Sequence, residues 1–183
     1  MNSCLIVIDL QNDYFPGGSM ELAGIEAAPA NARLLLDRHR ETGSAVIHVQ
    51  HLAVRPGATF FLPATLGAEI NELAAPRAGE IVVVKNYPNS FRDTPLLEIL
   101  QQEKADHLVI CGAMSHMCID ATVRAAFDFG FTCLVAEDAC ATRDLAFRGR
   151  TIKAADVHAS FMAALSAPYA RVITTMELME NRG

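Results

Sequence analysis

The sequence predicts an α/β fold of three layers, in which helices cover both faces of a parallel sheet. Six short runs rich in Val, Ile and Leu are continuously apolar, which is typical of strands that are buried on both faces. These runs span residues 5–9, 45–50, 81–85, 107–111, 132–136 and 171–174. Between them lie four stretches with apolar residues at helical spacing, residues 27–41, 94–103, 115–129 and 146–165. This alternation implies right-handed crossovers and a parallel sheet.

Local signals mark where several of these elements begin and end. Thr94 followed by Pro95 predicts a helix start, because a hydroxyl caps free N–H groups and proline suits the first turn. Gly43 and Gly130 suit the positions just after two helices. Scattered Pro and Gly break up residues 51–79, which leaves room for one short helix near residues 68–73. The chain shows no repeat or linker, so we expect a single domain over residues 1–183.

The composition excludes several classes of protein. The 183 residues are 51% apolar and 20% charged, which is enough for a sizeable core. A net charge of −6 and the lack of a basic run argue against a nucleic-acid surface. The apolar runs are too short to cross a membrane, and the first four residues lack a signal-peptide pattern, so we expect a cytoplasmic protein. Five cysteines without a Cys-x-x-Cys pair predict reduced thiols.

Three reactive side chains fall at or near the carboxyl ends of predicted strands. Asp9 closes the first run, Lys85 closes the third, and Cys118 follows the fourth after a short turn. Ligands of open parallel sheets bind outside these ends, so the three side chains can meet in one pocket if the first and fourth strands are neighbours. A carboxylate that accepts a thiol proton, an ammonium and a sulfur nucleophile form a set suited to acyl transfer.

Cys118 also lies at the start of a predicted helix. Free N–H groups and the helix dipole at such a terminus stabilise a thiolate and can bind an oxyanion formed beside it. Each residue of the set has an ordinary structural alternative: Asp9 can cap a turn, Lys85 can be solvated, and Cys118 can pack as a small hydrophobe. Their joint occurrence at three strand ends favours a catalytic function.

Four segments of the chain carry the motifs of a known family. They are residues 5–18, LIVIDLQNDYFPGG, residues 84–94, VKNYPNSFRDT, residues 112–122, GAMSHMCIDAT, and residues 137–142, EDACAT. In content and order they resemble the isochorismatase-like cysteine hydrolases, a family that includes nicotinamidases, N-carbamoylsarcosine amidohydrolases and streptothricin hydrolases. The resemblance covers nearly the whole chain.

The resemblance implies a six-stranded parallel sheet of order 3-2-1-4-5-6 and a catalytic triad of Asp9, Lys85 and Cys118. It also implies a cis peptide bond between Ala113 and Met114, with the N–H groups of Met114 and Cys118 as an oxyanion hole. The expected reaction is hydrolysis of a C–N bond in a small amide, cyclic amide or N-carbamoyl compound. Asp9 takes the thiol proton, Lys85 and the helix terminus lower the thiol pKa, and the sulfur forms a thioester.

The sequence predicts neither a metal nor another cofactor. Nicotinamidases hold a metal through an Asp-x-His pattern and a further His, but here Gln50 supplies no carboxylate and no His follows before His107. His48 and His51 lie three residues apart, which puts them on opposite faces of a strand. Isochorismatase itself acts on a vinyl ether without a cysteine nucleophile, so Cys118 favours amide-type hydrolysis.

Further side chains are candidates for the substrate pocket. Gln11 and Tyr14 follow Asp9 in the loop at the strand end, although Gln11 could instead cap the turn. His116, in the nucleophile turn, could bind the substrate or face solvent. Several aromatic side chains could wall the pocket or belong to the core, namely Phe60, Phe61, Tyr87 and Phe91.

Two other functions are compatible with the sequence. The same fold could serve as a non-catalytic binding module, because fold alone does not assign chemistry. Cys118 could also act as a redox thiol. We expect a small-molecule substrate, with neither nucleic acid nor a membrane as partner. The apolar residues 121–131 and the family's habit of self-association lead us to expect a homodimer or homotetramer.

Overall fold

A computed structural model describes residues 2–180 of the chain. Met1 and residues 181–183, which belong to the predicted domain, lie outside the described residues. The strands are β1 (Ser3–Ile8), β2 (Ala45–His51), β3 (Ile81–Lys85), β4 (His107–Ala113), β5 (Thr132–Ala141), β6 (Leu145–Phe147), β7 (Arg150–Ile152) and β8 (Arg171–Ile173). The helices are α1 (Ala27–Thr42), α2 (Leu96–Gln102), α3 (Asp120–Asp128), α4 (Ala154–Leu165) and α5 (Thr175–Glu180).

Six of these strands form one parallel sheet in the order β3-β2-β1-β4-β5-β8. This is the predicted order, with β8 as the sixth strand of the sheet, so the predicted fold class is confirmed. The chain leaves β1 toward β2 on one side and later returns to place β4 on the other side. The carboxyl ends of β1 and β4 therefore flank the crevice where ligands of such sheets bind.

The sheet is buried on both faces. Cys4, Ile6 and Ile8 of β1 pack in one core with α2, α3 and α4. Leu5 and Val7 of the same strand pack in a second core with α1 and α5. Successive side chains of a strand point to opposite faces, so a strand covered on both sides has no polar positions to alternate with. This explains the continuous apolar runs in the sequence.

The region predicted as the start of the fourth helix is instead a hairpin. β6 and β7 pair antiparallel, and the two residues between them, Arg148 and Gly149, have φ of 48° and 75°. Positive φ at both central residues is typical of tight two-residue hairpin turns. α4 begins only at Ala154, whose N–H donates to Oδ1 of Asp144 over 2.8 Å. The helix predicted over residues 146–153 is therefore wrong, because the turn residues outweigh the apolar spacing.

Other boundaries differ less from the predictions. α2 begins at Leu96, whose N–H donates to Oγ1 of Thr94 over 3.3 Å, so the threonine hydroxyl does serve the helix start. α1 ends at Gly43, which has φ of 68°. The short helix predicted near residues 68–73 is replaced by two 3-10 turns, Leu66–Ala68 and Glu72–Ala74.

The segment between β4 and α3 shapes the carboxyl edge of the sheet. Ser115–Ile119 form a π-helical turn before α3 begins. β5 continues to Ala141, beyond the predicted end at residue 136, and pairs with Gly112 and Ala113 after an irregularity in the ladder. β5 therefore runs alongside the turn that carries Cys118. Within residues 2–180, each helix is too short or too polar to cross a membrane.

Candidate active site

Asp9, Lys85 and Cys118 lie together at the carboxyl edge of the sheet. The Nζ atom of Lys85 lies 2.7 Å from Oδ2 of Asp9 and 3.3 Å from Sγ of Cys118. The three residues are 0%, 1% and 4% exposed, respectively. The structure thus brings the three candidates from separate strand ends into one buried cluster.

The backbone at Asp9 directs its carboxylate into this cluster. Asp9 follows the last residue of β1 and has φ of 52°, a left-handed conformation that Asp and Asn tolerate better than most residues. Its N–H donates to the carbonyl oxygen of Val49 on β2, with an N–O distance of 3.0 Å. Oδ2 accepts a hydrogen bond from Lys85, but Oδ1 is buried and has no partner among residues 2–180. An unpaired buried oxygen is costly and calls for a functional explanation.

Each hydrogen of the Lys85 ammonium has an acceptor. In addition to Asp9 and Cys118, Nζ lies 3.0 Å from Nδ1 of His51, and an ammonium has three hydrogens to donate. Burial is the largest single influence and lowers the pKa of Lys85, but the charges of Asp9 and Cys118 and their hydrogen bonds with Nζ together outweigh it, so the pKa is raised. Lys85 is therefore a permanent cation at neutral pH, held in one position.

Cys118 lies in the π-helical turn, beside the start of α3. Burial raises the pKa of the Cys118 thiol, the charge of Asp9 raises it further, and Lys85 only partly opposes this rise. The expected net lowering of this pKa is therefore wrong: Lys85 does lower it, but the loss of water around the sulfur has the larger effect. The resting thiol keeps its proton, so its attack on a carbonyl requires a base.

His51 is a fourth member of the cluster, which the sequence reasoning considered only as a metal ligand. It is the last residue of β2 and pairs with Lys85 in the ladder between β2 and β3. Burial and the ammonium of Lys85 lower the pKa of His51 to about 4, so the imidazole is neutral at neutral pH. His48 lies apart, with Nε2 3.0 Å from Oε2 of Glu80. The strand-end rule that selects Lys85 also selects His51.

A metal ion does not fit this cluster. Ligand atoms of Asp9, His51 and Cys118 lie within 4.8 Å of one another, which is close enough to hold a metal. Nζ of Lys85, however, contacts an atom of each of the three side chains. The ammonium thus occupies the position that a metal cation would take.

The peptide segment before Cys118 presents a free N–H group. The peptide bond between Ala113 and Met114, where a cis bond is expected, is cis. The N–H of Met114 has no acceptor among residues 2–180, so it is available to an oxyanion. β4 approaches β1 closely here only because residue 112 is glycine. Gly112 has φ of 126°, and a Cβ atom at this position would overlap the carbonyl oxygen of Ile8.

Gln11 lies beside the cluster, but the backbone uses all of its amide hydrogens. Nε2 donates to the carbonyl oxygens of His51 and Ala68, over 2.9 Å and 2.7 Å. Oε1 accepts the His51 N–H over 2.8 Å. Gln11 therefore fastens the loop after β1 to the end of β2. This geometry assigns it a positioning role in place of the predicted contact with substrate.

Four of the five predicted aromatic side chains fall into two groups, and Tyr87 instead packs against the guanidinium of Arg92, 3.6 Å from its ring centroid. Tyr14, Phe60 and Phe61 pack against one another, with ring centroids 4.6 Å apart for Tyr14 and Phe61 and 5.0 Å apart for Phe60 and Phe61. Phe91 instead packs against Phe129, at a centroid distance of 5.1 Å. Phe129 follows the last residue of α3 and lies three positions before the start of β5, near the amino edge of the sheet. The structure therefore packs Phe91, which is partly buried, against the edge of the core near the end of α3.

Asp13 fastens the long loop that carries Phe61. Its Oδ2 accepts the Phe61 N–H over 2.6 Å, and its Oδ1 accepts the Ser19 N–H over 3.1 Å. Gly67 must lack a side chain, because a Cβ atom there would overlap the Asp13 carboxylate. The sequence reasoning missed Asp13, although it lies in the same motif as Asp9.

His116 contacts the segment that follows β5. Its Nδ1 lies 2.6 Å from Oγ1 of Thr142, and Thr142 is the last residue of the fourth motif. Burial, and then the charge of Arg143, lowers the pKa of His116. Arg143 is exposed and its charge also acts on Tyr14. The sequence reasoning missed Thr142, which contacts His116, and Arg143, whose charge acts on both His116 and Tyr14.

A cavity of about 1000 Å³ lies at the other edge of the sheet. Its lining includes Ser3, His107, Thr132 and Arg171, which are the first residues of four strands, together with His39 of α1. Asp9 and Lys85 lie at the carboxyl ends of their strands. The cavity is therefore separate from the candidate active site.

Comparisons with known proteins identify relatives over the whole length of this fold. The family model described as "Isochorismatase domain" matches residues 3–177. The uncharacterized isochorismatase family protein YddQ of Bacillus subtilis is 51% identical over 175 residues, which cover 96% of this chain and 97% of that protein. A crystal structure from Oleispira antarctica, described as an isochorismatase hydrolase, is 49% identical, with a TM-score of 0.94 and coverage of 97% and 96%.

Two further relatives are named for their activities. A streptothricin hydrolase of Streptomyces noursei is 35% identical, over 77% of this chain and 50% of that protein. A maleamate amidohydrolase of Pseudomonas putida is 27% identical, over 97% of this chain and 85% of that protein.

Proposed function

The chain belongs to the isochorismatase family of hydrolases, as its four motifs predict, and we propose that it hydrolyses a C–N bond of a small molecule through a Cys118 thioester. The observation that carries this proposal is the unpaired oxygen of Asp9. Within residues 2–180, buried Oδ1 receives no well-directed hydrogen bond, while the other oxygen is held by Lys85 and the Cys118 thiol lies close to the carboxylate. A proton from the neighbouring thiol would satisfy it.

The first step transfers that proton and forms a bond from sulfur to carbon. Asp9 accepts the thiol proton as Sγ of Cys118 attacks the carbonyl carbon, so a thiolate need not form before substrate arrives. The ammonium of Lys85 contacts both the carboxylate and the sulfur and stabilises the negative charge that moves between them. The raised thiol pKa fits this order of events, because the base acts during the attack.

The tetrahedral intermediate carries its negative charge on the former carbonyl oxygen. The N–H groups of Met114 and Cys118 are the proposed donors to this oxygen; a single donor of this kind typically contributes about 3 kcal/mol. The C–N bond then breaks, and protonated Asp9 returns the proton to the leaving nitrogen. Water attacks the resulting thioester with Asp9 as base, which releases an acid and restores the thiol.

Hydrolysis of an amide-type bond is supported by the relatives. One is named as an amidohydrolase that acts on maleamate, and another as a hydrolase that acts on streptothricin. In this chain the ammonium of Lys85 lies where a metal ion would otherwise bind. It contacts both the base and the sulfur, which suits a mechanism in which the sulfur of Cys118 is the nucleophile. The substrate itself is not defined by these names.

A panel of primary amides, N-carbamoyl compounds and cyclic amides, assayed for release of ammonia or amine, tests the proposal. Cys118→Ala is expected to abolish turnover without loss of the fold. Cys133→Ala serves as the matched control, because this buried thiol near the start of β5 is far from Asp9 and Lys85. Full activity of the Cys118→Ala variant, or no hydrolysis by the wild type across the panel, would contradict the proposal.

The two alternatives gain no specific support from the site. All five thiols are free and buried, and the contacts of Cys118 are with a base and a cation. Thiol alkylation distinguishes the hydrolase from the binding module. The hydrolase requires Cys118 to react faster than the other four thiols and to slow in Asp9→Asn. A binding module requires neither behaviour.

A further inference from the structure

The hydrogen bonds of Lys85 fix which nitrogen of His51 carries the proton. Nζ lies 3.0 Å from Nδ1 of His51, and an ammonium can only donate. Nδ1 is therefore the accepting nitrogen of the ring. A neutral imidazole carries one N–H, so the hydrogen resides on Nε2. A proton on Nδ1 would point at the ammonium, so the charge of Lys85 enforces this tautomer.

The Nε2 atom of His51 is available to a ligand. It has no hydrogen bond with residues 2–180, yet it is not sealed in the interior as Oδ1 of Asp9 is. His51 is half-buried, whereas Asp9, Lys85 and Cys118 are almost fully buried. Within the cluster, His51 is thus the side chain most open to solvent.

Contacts on several sides hold the imidazole in place. Lys85 binds Nδ1, and the Gln11 amide binds both the N–H and the carbonyl oxygen of His51. The ring also packs against Phe61, with centroids 5.9 Å apart. A donor that is oriented in advance loses little entropy when a ligand binds, so its hydrogen bond contributes more of its energy to recognition.

We propose that His51 contacts the substrate and donates its Nε2 hydrogen to an acceptor beside the scissile carbonyl. This inference rests on the proposed hydrolase function. Because the N–H of Met114 takes the carbonyl oxygen, the hydrogen of His51 serves a second acceptor. The preferred substrates are therefore amides with a carboxylate, a second carbonyl or a ring nitrogen close to the amide, in preference to plain alkyl amides.

Two substitutions of His51 distinguish the role of Nδ1 as an acceptor from the role of Nε2 as a donor. In His51→Asn the amide oxygen can still accept from Lys85, since it reaches the place of Nδ1, but nothing replaces the Nε2 hydrogen. His51→Phe keeps a ring against Phe61 and removes both functions. His107→Asn, at the amino end of β4, is the matched control and is expected to behave as wild type.

Two thiol reagents report on Cys118 without turnover. Methyl methanethiosulfonate lacks a carbonyl and measures sulfur reactivity, whereas iodoacetamide places an amide carbonyl beside the sulfur. In His51→Asn, the ratio of the iodoacetamide rate to the methyl methanethiosulfonate rate is expected to fall roughly two- to tenfold, as the loss of one ordinary hydrogen bond implies. With succinamate and butanamide as substrates, the variant is expected to lose more kcat/KM on succinamate. An unchanged ratio overturns the inference.

The tautomer is measured directly by NMR of protein with 15N-labelled histidine, in which His51→Phe assigns the signal. We expect a neutral ring with its proton on Nε2 at pH 7, and a proton on Nδ1 overturns the inference. If the wild type hydrolyses no amide, the proposed function fails. The reagent ratio and the NMR signal still decide the role of His51, so the two failures are distinguishable.

Discussion

Replacing Asp9 by Asn tests whether the cluster is held by a buried ion pair. Asn has the same shape and also tolerates a φ of 52°, so the backbone is undisturbed. The change leaves the Lys85 ammonium, which is 1% exposed, without its counter-ion. Removing one partner of such a pair typically costs about 3–5 kcal/mol. Lys85 can escape this cost by releasing its proton, which at pH 7 costs about 4.6 kcal/mol from an unfolded pKa near 10.4. The cost of releasing this proton is therefore an upper limit, about 4.6 kcal/mol, on the loss of stability at pH 7.

Urea unfolding followed by circular dichroism measures this loss. In Asp9→Asn the folded pKa of Lys85 lies below its unfolded value, so the penalty is relieved as pH rises. We expect a loss of about 3 to 4.6 kcal/mol at pH 7 and of at most about 2 kcal/mol at pH 9. Lys85→Met, combined with Asp9→Asn, removes both charges and is expected to be less destabilised than the sum of the single variants. Additivity within about 0.5 kcal/mol would refute the argument, because it would mean that the two charges do not interact.

Two further predictions concern stability. Arg40 donates to Glu80 and lowers the pKa of Glu80 to about 2, so Glu80→Gln is expected to lose on the order of 2–3 kcal/mol at pH 7. This loss should shrink as pH falls from about 4.5 toward 2, because the unfolded carboxylate is protonated first and the folded one only near pH 2. A difference that stays constant with pH in urea titrations would argue against it. Gly112→Ala is expected to cost several times more than Gly130→Ala, because both have positive φ but only residue 112 abuts Ile8. Equal unfolding free energies for the two glycine variants would show that the close approach of the strands is unimportant.

Strand ends were the most predictable part of the site. A parallel sheet aligns the carboxyl ends of its strands, and continuous apolar runs mark where strands end, so Asp9 and Lys85 could be selected from the sequence. The same rule selects His51, which was passed over because the histidines were compared only with a metal-binding pattern. For His51, its position at a strand end predicted its place in the site better than comparison with a metal-binding motif did.

Effects of burial were the least predictable part. The raised pKa of Cys118 depends on how completely the loop after β2 and the helices exclude water, and no local pattern encodes this. The commitment of the Gln11 amide to His51 and Ala68 likewise depends on residues far apart in the chain. The hairpin after β5 was locally encoded by Arg148 and Gly149, but apolar spacing suggested a helix.

Counting hydrogens on Lys85 limits what this residue can do in the reaction. Its three hydrogens are already donated to Asp9, His51 and Cys118. Lys85 therefore cannot bind the oxyanion unless it gives up one of these acceptors. When the sulfur becomes bonded to carbon it is a weaker acceptor, and when Asp9 takes the thiol proton its charge is lost, so the ammonium is least satisfied at the tetrahedral intermediate. Its field then favours a new negative charge nearby, and the directed hydrogen bonds to that charge must come from backbone N–H groups such as that of Met114. The cation and the oxyanion donors are thus separate parts of one site.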